Sequence, residues 1–169
     1  GASEKDVADD LEAEMRRLGA TSASFPPIVA VGERAALPHA RPSSAQVGEA
    51  DCVLVDWGAT VLAYKGDLTR LLVGGKVTPE FEKIYRIVLA AQERAIAAIR
   101  PGATARDVDA EARSVIEEAG FGRFFDHGLG HGLGLDIHEA PRLRKDSEVK
   151  LRAGMVVTVE PGIYVPGWG

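Results

Sequence analysis

Cysteine is nearly absent from this chain of 169 residues, which contains Cys52 alone. A single cysteine excludes an intramolecular disulfide framework and a metal site built from several thiolates. Because Cys52 begins an apolar run that continues to Val55, we expect a buried structural thiol rather than a nucleophile. A reducing compartment is compatible with this pattern, and we expect a cytoplasmic protein.

Long hydrophobic runs and basic stripes are missing as well. No apolar stretch approaches the roughly 18 residues that a membrane span requires, so we expect no membrane association. The net charge is -5, and the lysines and arginines form no stripe that could neutralise phosphates, so nucleic acid is not an expected partner. With 46% hydrophobic residues and no linker, the chain is expected to form one domain over residues 1–169.

Helix signals occur twice at one constant offset along the chain. Residues 3–6 form a capping-box variant that begins a helix ending at Gly19, and residues 104–107 begin a second helix ending at Gly120. The β-branched runs at residues 53–56 and 156–160 also repeat, and both end on an acid. These matches indicate an internal duplication.

The remaining segments complete a coarse order of helix, strands, two helices and strands. Ile28–Val31 is strand-like, and a long helix is predicted between Pro79 and Pro101. This order predicts an α+β domain in which helices pack on one antiparallel sheet.

Asp56 and Asp67 are predicted to lie on neighbouring strands of a hairpin. If Thr60 to Ala63 forms the turn, Asp56 pairs with Asp67 and the two carboxylates lie about 5 Å apart on one face. At that distance one acid must be protonated unless a cation lies between them. The alternative is that both are solvated acids near a turn.

Three of the 4 histidines, His127, His131 and His138, flank or lie within a run of alternating glycines, residues 128–134. Glycine at every second position empties one face of an extended segment and lets another backbone approach, so His131 is expected on a strand with little around it. The spacing does not match a dinucleotide-binding loop, and the glycines disfavour the helical zinc-protease motif. A single histidine is more often a core or surface residue, but this crowding favours ligands.

Glu160 follows a run of β-branched residues and precedes a Pro-Gly turn, so it is expected at the rim of a sheet. An ion pair with an arginine is the alternative explanation for such a carboxylate. Considered together, Asp56, Asp67, His131 and Glu160 have no reason to gather unless a cation offsets their desolvation. The residues alone therefore predict a metal-dependent hydrolase.

The ordered motifs also resemble a known family. They are Asp56-Trp57-Gly58-Ala59, Gly66-Asp67-Leu68-Thr69-Arg70, Gly130-His131-Gly132-Leu133-Gly134, His138-Glu139-Ala140-Pro141 and Val159-Glu160-Pro161-Gly162-Ile163-Tyr164. Across nearly the whole chain they resemble the catalytic domain of the proline-specific metallopeptidases, aminopeptidase P and prolidase. The resemblance implies the α+β pita-bread (creatinase/aminopeptidase-like) fold, an antiparallel sheet covered by helices with an internal pseudo-two-fold repeat.

The resemblance implies two divalent metal ions, with manganese expected and cobalt, iron or zinc as alternatives. Asp56 would chelate one ion and Asp67 would bridge, with His131 and Glu160 on the other ion. We expect hydrolysis of the Xaa-Pro bond at the N-terminus of peptides or in dipeptides. The expected partner is thus a peptide with proline at the second position, and a homodimer is compatible with the sequence.

The resemblance also implies roles for further residues. His39 matches a histidine near the substrate pocket. His127 and His138 match histidines that contact the substrate and stabilise the tetrahedral intermediate. Glu160, or a glutamate expected beyond Gly169, would accept the proton of the attacking water.

Two departures from the family pattern bear on activity. A second bridging glutamate is expected a few residues beyond Gly169, and proline-specific members carry an additional domain before the position of Gly1. The chain is therefore interpreted as a truncated catalytic domain with partial metal occupancy and little turnover. The alternatives are a methionine aminopeptidase, a peptide-binding module that lost catalysis, and a metal-free creatine-cleaving relative. The four retained ligand positions weigh against the last two.

Overall fold

The computed structural model describes residues 1–49, 52–75 and 77–169. The chain divides into two compact units. The first unit comprises Gly1–Val77, Leu135–Ile137 and Tyr164–Gly169, and the second comprises Thr78–Gly134 and His138–Ile163. Among the described residues, no helix has the length and apolar character needed to cross a bilayer.

The predicted helices are present. They are α1 (Glu4–Arg17), α2 (Pro79–Ala98) and α3 (Ala105–Glu118). Short 3-10 turns occupy Gly32–Ala36, Val47–Glu49 and Gly122–Phe124. The strands are β1 (Ser22–Ala23), β2 (Ile28–Val31), β3 (Cys52–Trp57), β4 (Ala59–Val61), β5 (Tyr64–Lys65), β6 (Leu68–Val73), β7 (Gly130–Gly132) and β8 (Glu139–Leu143).

The two repeated helix starts differ in their caps. Ser3 and Asp6 form a complete capping box, in which each side chain bonds the other residue's backbone N–H. Thr104 occupies the same position before α3, but its side chain makes no capping hydrogen bond. Gly19 and Gly120 follow the helix ends with φ values of 103° and 86°, a conformation that glycine adopts without strain.

In the first unit, β2, β3 and β6 form an antiparallel sheet with β3 in the centre. Val53 and Val55 point to one face of β3, where they pack in a buried cluster with Ala8 of α1. Leu54 points to the opposite face and packs beside Ala30. A smaller sheet has the order β1-β4-β5. Cys52 is buried at the start of β3, as predicted.

The predicted hairpin register is wrong. Asp56 pairs with Thr69, not with Asp67. The reason is the position of the turn, because Val61 pairs with Tyr64 and only two residues connect them. Those connecting residues have positive φ values, 50° for Leu62 and 71° for Ala63, as in the primed turns that join antiparallel strands. A turn shifted by one residue moves the strand pairing by two.

In the second unit, α2 and α3 pack around one apolar core. Fully buried alanines on these helices leave room for close approach of the helix backbones: Ala91, Ala95, Ala105 and Ala112. The larger buried side chains Phe125, Leu129 and Leu143 come from the segment after α3 and from β8. The glycine-rich strand β7 pairs antiparallel with β8, with an irregularity between His131 and Gly132.

The segment of residues 156–160 does not form the predicted strand. Within it, the described backbone makes one isolated bridge, between Gly132 and Val157. Thr158 N–H donates to His131 O, as a ladder requires, but His131 N–H donates to the Thr158 hydroxyl instead of a carbonyl. This diverted hydrogen bond interrupts the regular ladder beside the site.

Candidate metal and active site

His131 lies in the middle of β7, between two glycines against which other backbone packs closely. A Cβ atom on Gly130 would lie 2.1 Å from Thr158 O, and one on Gly132 would lie 2.2 Å from Ala140 O. The predicted close backbone approach is therefore correct. The predicted open surroundings of His131 are wrong, because the residue is only 7% exposed. The backbones that approach its glycine neighbours also enclose it.

His131, Thr158 and Glu160 form one hydrogen-bonded group in the second unit. The distance from His131 Nε2 to Glu160 Oε1 is 3.1 Å. The Thr158 hydroxyl donates to the same Glu160 oxygen at 2.6 Å and accepts from His131 N–H at 3.0 Å. Glu160 N–H donates to Leu129 O, which anchors the backbone that carries the carboxylate. The described partners of the Glu160 carboxylate are thus an imidazole and a hydroxyl, not the arginine of the alternative explanation.

The hydrogen bond of the second ring nitrogen determines how His131 can act. Its Nδ1 lies 3.0 Å from Gly132 O, and a carbonyl can only accept, so Nδ1 carries a proton. Nε2 of a neutral ring then directs a lone pair towards a carboxylate oxygen. Two acceptors at this distance require a proton or a cation between them.

The donors at this position suit a divalent ion. His131 and Glu160 present an imidazole nitrogen and a carboxylate oxygen close enough together to hold one cation. Imidazole and carboxylate ligands are used by manganese, iron, cobalt and zinc sites, and the fixed Nδ1–H is the usual way of orienting a metal-binding histidine. The residues present therefore fit the implied metal.

The pKa of Glu160 is lowered from its ordinary value. Burial alone would raise this pKa, but the close contact with the His131 ring, the hydrogen bond from the Thr158 hydroxyl and the nearby imidazole of His127 outweigh burial. Glu160 is thus held as a carboxylate, the form that binds a metal or accepts a proton.

Two of the other predicted histidines surround this group. The rings of His131 and His138 meet edge to face, with centroids 4.4 Å apart. His127 packs edge to face on Phe125 at 5.0 Å, and its Nδ1 bonds Gly128 O at 2.7 Å. The structure thus groups three predicted histidines and Glu160 in the second unit.

The remaining predicted site residues belong to the first unit. Asp56 lies on β3 on the same face as Leu54, opposite the face that packs on α1. Asp67 immediately precedes β6, two residues before Thr69, the strand partner of Asp56. The two acids are therefore diagonal neighbours, a relation that separates Cα atoms by roughly 7–8 Å. His39 lies on an exposed turn of this unit.

Sequence reasoning missed three residues that support the site. The β-branched pattern indicates only a strand residue at Thr158, whereas its hydroxyl bonds both His131 and Glu160. Asp109 and Arg113 form a buried ion pair on α3 that contacts the backbone before β7. Their i,i+4 spacing is the one available signal, but it is also the spacing of ordinary surface pairs.

The fold and the imidazole and carboxylate donors together define a protein with a site suited to divalent metal ions. The family model described as metallopeptidase family M24 matches residues 1–169, so this chain belongs to that family.

Curated relatives and solved structures agree with this assignment. The chain is 45% identical over 169 residues to the Xaa-Pro dipeptidase of Pyrococcus furiosus, covering 100% of this chain and 49% of that protein. The structure of prolidase from Pyrococcus furiosus has a TM-score of 0.97 at 45% identity, covering 100% of this chain and 50% of that one. X-Pro aminopeptidase from Thermotoga maritima has a TM-score of 0.96 at 43% identity, covering 99% and 48%.

These matches confirm the predicted pita-bread fold class. The chain spans about half the length of the curated relatives it matches.

Proposed function

We propose that this chain supplies the proline-specific catalytic machinery of a metal-dependent Xaa-Pro peptidase. The observation that carries the proposal is the pair of buried His131 and half-buried Glu160, which the Thr158 hydroxyl holds together beside the glycines of β7. Relatives named Xaa-Pro dipeptidase and prolidase match the chain over its whole length, which supports the substrate class. The proposed substrates are dipeptides or longer peptides with proline at the second position.

The proposed metal ligands are Asp56, Asp67, His131 and Glu160, with two divalent ions and manganese as the expected metal. Carboxylate-rich sites with one imidazole suit manganese, with cobalt, iron or zinc as alternatives. When bound, the ions would make water a better nucleophile at neutral pH and polarise the scissile carbonyl. A cytoplasmic location and a homodimer stay predictions.

The protein side chains supply the proton transfers. Glu160, whose pKa is lowered, is ionised at neutral pH and can accept the proton of the attacking water and pass it to the leaving proline nitrogen. His127 and His138 are proposed to donate hydrogen bonds to the oxyanion that forms on the scissile carbonyl. His39 is proposed to contact the substrate.

Hydrolysis assays test this function. A polypeptide that contains these residues and extends to the full length of the relatives should cleave Gly-Pro, or a longer peptide with proline second, when manganese is added. Cleavage of Met-Ala in preference to Ala-Pro would instead support a methionine aminopeptidase. Absence of hydrolysis of every proline peptide would reject the proposal.

The ligand assignment is tested by substitution in the same polypeptide. His131→Ala and Glu160→Gln should each lower kcat/KM at least a hundredfold, because each removes a proposed ligand, and Glu160→Gln also removes the proposed base. His39→Ala should raise KM more than it lowers kcat.

A further inference from the structure

The buried ion pair of Asp109 and Arg113 lies beside the backbone that leads into β7. The two residues are one helical turn apart on α3, and their side chains are 1% and 8% exposed. The guanidinium bonds both carboxylate oxygens, with Nε to Oδ2 at 2.8 Å and Nη2 to Oδ1 at 3.0 Å. This bidentate geometry fixes the orientation of both side chains.

The same pair bonds the backbone of the following segment at three alternate residues. Arg113 Nη1 donates to Phe125 O at 2.9 Å, and Nη2 donates to His127 O at 2.8 Å. Asp109 Oδ1 accepts from Leu129 N–H at 3.0 Å. Four of the five N–H groups of the guanidinium are thus used inside the protein.

Ring contacts connect the pair to the side chain of His127. The guanidinium of Arg113 lies over the ring of Phe125, 4.2 Å from its centroid. The His127 ring meets the same phenyl ring at an interplanar angle of 89°. Both the carbonyl and the imidazole of His127 are therefore restrained, one directly by Arg113 and the other through Phe125.

A contribution to stability alone is a poor explanation for this arrangement. Burying two charges costs a desolvation energy that their attraction repays only with good geometry, and apolar residues of similar size often serve as well. The planar guanidinium, with its several fixed donors, can hold two carbonyls in defined positions, and an apolar side chain cannot.

We propose that the Asp109 and Arg113 ion pair is a positioning device, which fixes the backbone from Phe125 to Leu129 and thereby places His127 and His131 for metal and substrate binding. The inference rests on the proposed function for what the histidines do. Leu129 is the connection to the site, because its N–H bonds Asp109 and its carbonyl accepts from Glu160 N–H.

The test compares Arg113→Lys and Arg113→Met with two control variants of the second unit. Lysine keeps the charge but cannot hold the carboxylate and both carbonyls in one plane. Arg94→Met removes a half-exposed arginine that pairs with Glu111, and Ile84→Val removes a methyl group from a buried residue outside the cluster that contains Phe125 and Leu129. The measurements are urea unfolding, hydrogen–deuterium exchange and the affinity for manganese ions alone.

In both Arg113 variants we expect the backbone amides of residues 125–131 to exchange hydrogen about tenfold faster than the loss of global stability alone would cause. Both variants should also bind manganese about tenfold more weakly than the wild type. Both controls should keep the wild-type exchange in this segment and the wild-type affinity. If Arg113→Met does not fold, Arg113→Lys carries the test. An Arg113→Lys chain with wild-type exchange and wild-type manganese affinity, or one that changes only in parallel with Ile84→Val, would overturn the proposal.

Activity distinguishes this proposal from the proposed function. In the full-length polypeptide, Arg113→Lys should lower kcat at least tenfold with a smaller change in KM, since the catalytic groups are present but displaced. If the wild type cleaves no Xaa-Pro peptide, the peptidase function is rejected, while the exchange and manganese measurements still decide whether the ion pair positions the segment.

Discussion

Gly130 shows how a single residue type can be required next to a site. Its Cα–H faces Thr158 O so closely that a methyl group there would lie 2.1 Å from the oxygen, well inside van der Waals contact. The contact is with backbone, which cannot rotate away. The position therefore admits glycine alone unless the two segments separate, and separation would move His131 from Glu160.

We predict that Gly130→Ala lowers the stability of the chain by about 2 kcal/mol or more, because overpacking forces the backbone to shift. Thermal unfolding should show a clearly lower Tm, and manganese binding should weaken. Gly48→Ala is the matched control, because no atom outside its own local backbone lies within 4 Å of the place that its new methyl group would occupy, and it should change Tm little. Equal effects of the two substitutions would contradict the steric explanation.

Thr158 holds two site residues with one hydroxyl, so its loss should have more effect than that of a surface threonine. Thr158→Val leaves His131 N–H without its acceptor and removes a donor to Glu160. We expect a loss of about 1–3 kcal/mol in unfolding free energy and at least a tenfold weaker manganese affinity. Calorimetric titration and urea unfolding measure both, and Thr158→Ser should restore most of each. A valine variant that binds manganese like the wild type would contradict the role given to the hydroxyl.

At the scale of elements, the repeated helix starts allow a paired test of capping. Ser3 accepts from Asp6 N–H at the start of α1, whereas Thr104 makes no such bond before α3. We predict that Ser3→Ala costs about 1 kcal/mol in unfolding free energy and that Thr104→Ala costs clearly less. Urea unfolding of both variants decides the order. A larger loss from Thr104→Ala would show that hydrogen bonding of the cap side chain is not what distinguishes the two helices.

Helices are predictable from this sequence, and strand pairing is less so. Capping residues, glycine ends and apolar spacing are local signals, and they locate the three α-helices found among the described residues. Register depends on the conformation of the turn, and Leu62 with Ala63 carries none of the glycine or asparagine signals of a primed turn. The strand prediction for residues 156–160 is wrong because the Thr158 hydroxyl accepts the hydrogen bond from His131 N–H that a backbone carbonyl would accept in a regular strand.

At the scale of the whole molecule, buried carboxylates make stability depend on pH. Glu4 is fully buried, and it accepts from the Ser43 hydroxyl, from Arg34 and from the backbone N–H groups of Val31 and Ser43. Burial would raise its pKa, but these hydrogen bonds together lower the pKa below the ordinary 4.5. The pKa of Glu160 is lowered as well, so both carboxylates contribute stability at neutral pH that is lost in acid.

The sign of the pH effect follows from these pKa shifts. Below pH 4.5 the unfolded chain binds protons that folded Glu4 does not, so the stabilisation is complete above pH 4.5 and is lost as pH falls through the folded pKa. We predict that Glu4→Gln is less stable than the wild type by about 1–3 kcal/mol at pH 7, and that the difference narrows as pH falls below 4.5. Urea midpoints at several pH values measure this. A difference that widens at low pH would contradict the assignment.

Local spacing and ordered motifs were enough to predict the helices and the fold class, which the structure confirms, and they also supply the metal ligands that stay a proposal. Tertiary structure decided the diagonal relation of Asp56 and Asp67, the burial of His131 and the partners of Glu160. It also decided the roles of Thr158 and of the buried ion pair on α3. Those features depend on contacts between residues that are far apart in the sequence. Residue type and local spacing do not specify which distant groups come into contact.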